Sequence, residues 1–207
     1  MNKEEVIKII CAISDNIDEE KDFLTQLDND IADGDHGINL ARGFAAVKEM
    51  IQDSSQEDIG ALFKNTGMKL VTTVGGAAGP LYGTAFLRAA NVMNGKNEIT
   101  INDFVTCLDA AIEGVQFRGK AIQGEKTMLD AMIPATNEIK KSVESGNDAK
   151  TALSNGVKAA FDGVEYTKTI AATKGRASYI GERSIGHQDP GATSFSFILE
   201  TIYKEIN

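Results

Sequence analysis

Apolar residues recur at three- and four-residue steps through most of the chain. Val6, Ile9, Ile10, Ile13 and Ile17 form the first stripe behind Asn2, a side chain suited to cap a helix, and Phe23, Leu24 and Leu27 extend it. The period returns in Leu40, Phe44, Val47 and Ile51, in Ile59, Leu62, Phe63, Leu70 and Val74, and in Leu81, Ala85, Leu87 and Val92. It returns again in Phe104, Leu108, Ile112 and Val115 behind Thr100, in Leu129, Met132 and Ile139, in Leu153, Val157, Phe161 and Val164, and in Phe195, Ile198, Leu199 and Ile202. These stripes predict about eight amphipathic helices. Two-residue alternation bounded by turn residues is not found, so no strand is predicted. Pro134 falls inside the 127–145 pattern, where its missing N–H predicts a kink or a restart. No repeat of residue identity and no linker-like stretch divides the chain, so residues 1–207 are expected to form a single domain.

Glycine is disfavoured in helices, yet the chain has 20. Twelve of them fall in four segments, 28–37, 75–83, 119–124 and 173–191, separated by roughly two helices of about 18 residues, each about 27 Å long. In an up-and-down antiparallel bundle alternate connections share an end. The four glycine-rich loops should then converge on one face, with the turns near 53–56, 96–99 and 145–148 at the other. More than helix capping is at work, because Gly75-Gly76-Ala77-Ala78-Gly79-Pro80 exceeds what a cap requires.

Charge narrows the function. The 207 residues carry a net charge of -9 with scattered Lys and Arg, which gives a nucleic-acid backbone no electrostatic attraction. No apolar run reaches the roughly 18 residues of a membrane span, and acids stand where a secretory signal would be basic, so a cytoplasmic protein with no membrane partner is expected. Cys11 and Cys107 lie in apolar-periodic segments without a metal-binding spacing and read as reduced, buried structural thiols.

Asp28, Asp30, Asp33 and Asp35 put four carboxylates in eight residues, a crowding that calls for solvent or a cation. An EF-hand register fails, because Ala32 would take its fifth position, Asp33 its glycine and Asn39 its closing glutamate. Short carboxylates with open positions suit Mg²⁺ shared with a phosphorylated ligand. His36 reads as a metal ligand, a phosphoryl acceptor or a hydrogen-bonding wall, the first disfavoured because Mg²⁺ prefers oxygen. The glycine string running into Pro80-Leu81-Tyr82-Gly83-Thr84 offers bare backbone N–H groups at a helix start, an anion site without the lysine of a Walker A loop. Arg176 and Arg183 are the candidate arginines for phosphate charge.

Together these motifs resemble the dihydroxyacetone kinase L-subunit family. The resemblance rests on Leu27-Asp28, Asp33-Gly34-Asp35-His36-Gly37-Ile38-Asn39, Gly75-Gly76 through Thr84, Gly119, Gly124-Glu125-Lys126-Thr127-Met128-Leu129-Asp130, Gly175-Arg176-Ala177 and Asp189-Pro190-Gly191-Ala192, in family order along the whole chain. It implies an all-α barrel of eight antiparallel helices with ADP or ATP in the loops at one end. It also implies two Mg²⁺ ions on Asp28, Asp33 and Asp35. His36, Gly37, Ile38, Asn39, Ala77, Ala78, Gly119, Met128, Arg176, Asp189, Pro190 and Gly191 are implied nucleotide contacts, with Met128 a polarizable lining for adenine. Arg176 is the expected catalytic side chain, neutralising charge during in-line transfer, and no catalytic base is expected. The implied partners are a K subunit carrying dihydroxyacetone, a phosphohistidine carrier (M subunit) of the phosphoenolpyruvate phosphotransferase system that recharges bound ADP, and a second copy in a homodimer. Two alternatives remain: a nucleotide-sensing partner of a transcription regulator, and a paralogue serving another acceptor. Two positions depart from the family. Asp30 replaces a small or apolar residue and is read as a charge behind the metal ligands or in solvent rather than as a ligand, and Ala77-Ala78 stands in the segment that usually carries a serine, leaving backbone N–H groups to meet phosphate.

Overall fold

A computed structural model of the chain describes residues 1–53 and 57–206. The turn expected near 53–56 lies outside the described residues apart from Asp53, where a helix ends. The apolar stripes become α1 (Lys3–Glu19), α2 (Lys21–Ile31), α3 (His36–Asp53), α4 (Ile59–Thr73), α5 (Ala78–Val92), α6 (Ile101–Gly119), α7 (Leu129–Glu144), α8 (Ala149–Thr167) and α9 (Pro190–Glu205). A 3-10 segment, Arg176–Ser184, kinked at Gly181 (φ 55°, ψ -125°), lies between α8 and α9. Among the described residues there is no strand; an isolated bridge pairs Asn2 with Glu98.

The sequence specifies most helix starts. Asn2 and Thr100 each close a capping box with the acid three residues on, and Asp58, Asp148 and Asp189 accept the N–H three residues on. The first stripe, read as one helix, is two. At Glu20 the backbone leaves helical geometry (φ -91°, ψ 2°) within the polar run Asp18–Asp22, while Ile17 and Leu24 on either side stay fully buried. The buried face therefore keeps its spacing across the break, which is why periodicity does not reveal it. Pro134 likewise leaves α7 unbroken. It lies six residues into the helix, so the only carbonyl it deprives of a partner is that of Asp130, in the first turn.

Counting α1 and α2 as one bent span, eight antiparallel spans form a ring. Each packs on its neighbour in sequence, and α9 returns to α1 and α2 to close it. Phe44 is fully buried in the core, edge-on to Tyr82 and Phe86, with Phe86 edge-on to Phe63. Ile9, Ile13, Phe86, Leu108, Met132 and Phe195 are among the residues around an apolar cavity of about 140 Å³ inside the ring. Glycine also allows helices to touch: a Cβ on Gly163 of α8 would strike the Asp130 carbonyl and come within 2.9 Å of the Ala131 Cα, so α8 lies backbone to backbone on α7. Cys107 is buried and Cys11 only partly so, both as free thiols. No helix among the described residues is long and apolar enough to cross a membrane.

The alternation gathers the connections into two sets. The α2–α3, α4–α5, α6–α7 and α8–α9 connections, which hold the four glycine-rich segments, line one cavity of about 370 Å³. At the opposite end the Met1 ammonium donates to the Ile99 carbonyl (2.9 Å) and Ile59 N–H donates to the Lys96 carbonyl (2.9 Å).

Candidate functional site

The acidic wall comes from the α2–α3 connection. Asp28, in the last turn of α2, is buried, and its Oδ2 accepts the N–H groups of Asp35 (2.8 Å) and His36 (3.2 Å). That carboxylate therefore caps α3 from eight residues upstream. Gly34 makes the reversal with φ +71°, and a Cβ there would collide with the Asn29 side chain. The turn brings one carboxylate oxygen each of Asp28, Asp33 and Asp35 within 4.8 Å of one another. At an effective dielectric of about 20, each such pair repels by about 3.5 kcal/mol. Arg176 forms an ion pair with Asp33 and offsets part of this. Three hard oxygen donors this close, open to a cavity, fit a small divalent cation such as Mg²⁺. Asp30 is outside the cluster: it is exposed, accepts from Gln26 (2.8 Å) and lies 3.6 Å from His187 Nδ1.

The glycine loop forms the facing wall. Ala77 is the N-cap of α5 and offers no side-chain acceptor, so the first-turn N–H groups are left uncapped, with Pro80 in that turn. Gly75, Gly76, Ala77, Ala78 and Pro80 all line the cavity, and a Cβ on Gly76 would lie 3.7 Å from Asp35 Oδ1. The uncapped helix start thus stands beside the carboxylate cluster, which suits an anion bridged to the wall by a cation.

His36 lies between these walls. Its Nε2 is 2.9 Å from Ser194 Oγ on α9, and the Tyr82 hydroxyl is 2.8 Å from the same oxygen. Ser194 donates to the Gly191 carbonyl (3.1 Å), so Tyr82 and His36 Nε2–H both donate to Ser194. Burial lowers the imidazole pKa to about 4, against a smaller opposing pull from Asp28, and the ring is neutral at pH 7.

The third and fourth loops complete the cavity. Asp130 is fully buried and accepts from Gly124 N–H (2.5 Å) and Thr127 N–H (2.8 Å), fixing the approach to Met128 and α7. Asp189 is buried, caps α9 by accepting from Ala192 N–H (2.7 Å), and precedes Pro190 and Gly191. Burial raises its pKa to about 7; the Ala192 N–H and Lys126 pull it down, and Asp130 and Asp28 push it up.

Of the residues singled out from sequence, Asp28, Asp33, Asp35, His36, Ala77, Ala78, Gly119, Met128, Arg176, Asp189, Pro190 and Gly191 line this cavity. Gly37, Ile38 and Asn39 do not. Gly37 packs on the α2 backbone at Lys21 and on Thr25, Ile38 is exposed, and Asn39 accepts from Arg42 (2.7 Å) below the glycine loop. Arg183 is also outside the wall, whereas Arg118, Lys126 and Lys174 are in it and were not foreseen. Lys126 stands within the Gly124–Asp130 motif, the one sequence signal that pointed to it. The cavity wall carries four carboxylates and four cationic side chains, a local balance inside a chain of net charge -9.

Fold and site together define a helical barrel with a loop-built cavity at one end that carries a three-carboxylate cluster. Residues 30–204 match the DAK2 domain model. The chain is 40% identical over 202 residues, 98% of its length and 96% of the relative's, to the ADP-binding subunit DhaL of the PEP-dependent dihydroxyacetone kinase of Escherichia coli (strain K12). It is 38% identical over 200 residues, 97% of this chain and 96% of the relative, to the ADP-binding subunit DhaL of the PTS-dependent dihydroxyacetone kinase of Lactococcus lactis. Among solved structures, the native dihydroxyacetone kinase of C. freundii superposes with a TM-score of 0.77 at 22% identity, covering all of this chain and 35% of that one; this likeness concerns the fold. The chain belongs to the DAK2-domain family and, within it, to the dihydroxyacetone kinase L subunits.

Proposed function

We propose that this chain is the nucleotide-carrying phosphotransferase subunit of a phosphoenolpyruvate-dependent dihydroxyacetone kinase. It holds Mg-ADP or Mg-ATP and passes the γ-phosphoryl group to dihydroxyacetone on a separate K subunit. A phosphohistidine carrier, the M subunit, then rephosphorylates the bound ADP. The observation that carries this reading is the three-carboxylate cluster standing beside an uncapped, glycine-rich helix start in one cavity. The names of its full-length relatives, ADP-binding subunits of kinases driven by PEP or the PTS, support the donor and the acceptor.

In this reading Asp28, Asp33 and Asp35 hold two Mg²⁺ ions. When bound, these supply positive charge that offsets the negative charge of the phosphates. The uncapped N–H groups at the start of α5 take phosphate oxygens, with Ala77 and Ala78 contributing backbone only. Arg176 swings between Asp33 and the transferring group, stabilising charge as it develops. Met128, Gly119 and the Asp189-Pro190-Gly191 turn bound the space for the base and ribose. Little covalent work falls to the chain, since transfer between phosphate oxygens depends on alignment and electrostatics.

The purified chain should retain a nucleotide identifiable by mass spectrometry. It should accept phosphate from the phosphohistidine carrier, and Asp33→Ala should abolish transfer to dihydroxyacetone in the presence of the K subunit. Full transfer by Asp33→Ala would remove the metal assignment, and phosphorylation by ATP alone would remove the carrier from the scheme.

A further inference from the structure

Lys126 is the most deeply buried cation among the described residues, 1% exposed although it stands at the cavity wall. Its Nζ donates to three main-chain carbonyls, those of Thr167 (2.5 Å), His187 (2.5 Å) and Ile170 (3.3 Å). An ammonium has three protons, and these acceptors take all of them. None is left to hydrogen-bond a phosphate, so every direct contact this ammonium makes is with the protein's own backbone.

Its partners show what it joins. Thr167 ends α8, and its hydroxyl accepts the Asp189 N–H (2.9 Å). His187 lies two residues before Asp189, and Thr173 N–H donates to the Glu125 carbonyl (3.2 Å) beside Lys126. On its own side, Lys126 has left-handed backbone (φ +61°), uncommon for a side-chain-bearing residue, between Gly124 and Thr127, whose N–H groups are fixed by Asp130. One ammonium thus joins two cavity walls that are far apart in sequence: the 119–128 segment with Gly119 and Met128, and the 167–189 segment with Arg176 and Asp189.

We propose that Lys126 is a positioning residue that clips these two walls together and sets the width of the nucleotide cleft without touching the nucleotide. The inference rests on the nucleotide-carrying reading of the site. The carboxylate cluster lies on the α2–α3 connection and meets the clipped 167–189 segment at the solvent-exposed Arg176–Asp33 pair, so loosening the clip should weaken nucleotide binding far more than metal binding.

The test uses the full chain. Lys126→Met keeps the bulk and removes every donor; Lys126→Arg keeps a cation with donors. Each is compared with wild type by calorimetry with Mg-ADP, by Mn²⁺ binding without nucleotide, and by hydrogen exchange of the apo chain. Lys126→Met is expected to weaken Mg-ADP binding by about tenfold or more and leave Mn²⁺ binding within about twofold, and Lys126→Arg to recover most of the affinity. Exchange should quicken in 119–128 and 167–189 while the rest of the barrel is unchanged. Should Lys126→Met fail to fold, Lys126→Gln replaces it with the same expected split. Equal loss of Mn²⁺ and ADP, loss of neither, or exchange that rises throughout the barrel would overturn the proposal. A wild type that binds no Mg-ADP would instead remove the nucleotide reading, and the exchange pattern would still decide whether the clip exists.

Discussion

Asp189 gives the chain a pH dependence that can be isolated with one substitution. Folding raises its pKa from 3.8 to about 7, first because its carboxyl is buried and then because Asp130 and Asp28 face it, with Lys126 and the Ala192 N–H opposing. An acid whose pKa is higher folded than unfolded keeps its proton longer in the folded state. It favours folding at low pH, and that contribution is lost as pH rises from about 4 through about 7. At about 1.4 kcal/mol per pH unit, the full loss is about 4 kcal/mol above pH 7. His36 runs the other way. Burial holds it to about 4 against 6.5 unfolded, so an imidazole that charges on unfolding adds about 3 kcal/mol as pH rises across that window. The two slopes nearly cancel between pH 4 and 6.5 in the wild type and hide each other. Asp189→Asn keeps an oxygen for the Ala192 N–H, since asparagine caps helices as well as aspartate, but it has no proton to lose. Urea unfolding of both chains in metal-free buffer from pH 4.5 to 8.5 should give a difference, variant minus wild type, that climbs by about 1.4 kcal/mol per unit and levels near pH 7. The variant alone should gain stability toward pH 6.5, uncovering His36. A difference that is flat with pH would refute the assignment of a buried, proton-holding Asp189.

Other outcomes follow from packing and exposure. Gly163→Ala places a methyl against the Asp130 carbonyl and should cost about 1–3 kcal/mol, lowering the melting temperature by several degrees; an unchanged melting temperature would mean that α7 and α8 do not meet as closely as described. Cys107 is buried, and burial first, with Asp103 adding, pushes its thiol up to about 12; in a native labelling assay with a disulfide reagent Cys11 should react first and Cys107 only at the rate of unfolding.

The helical stripes and the convergence of the glycine-rich loops were legible because both depend on local period and on the alternation of an up-and-down chain. The break at Glu20 was not, since Ile17 and Leu24 keep one buried face across it. The 3-10 segment Arg176–Ser184 carries no apolar stripe of its own and is held by Ser184, whose hydroxyl accepts from Ala172 N–H and donates to the Gly181 carbonyl. In the site, the spacing of Asp28, Asp33 and Asp35 around Gly34 signalled the cluster. Gly37, Ile38 and Asn39 stand outside the wall because α3 begins at His36, and each later residue turns about 100° further around that helix. The roles of Lys126 and Ser194 depend on burial and on partners up to 158 residues away, which no local pattern encodes.

The ring of neighbours has a consequence for how the chain could be rewired. Every span packs on the next in sequence, and the seam of α9 against α1 and α2 closes the ring. α1 starts and α9 ends on the side away from the cavity, and the two helices pack on each other along that seam. Linking the end of α9 to the start of α1 and opening the chain at Gly146, a turn where an added Cβ would meet no atom beyond its chain neighbours within 4 Å, should yield a circular permutant with the same ring and the same four cavity loops. The architecture is defined by the cycle of spans, and the point at which the chain starts is incidental to it.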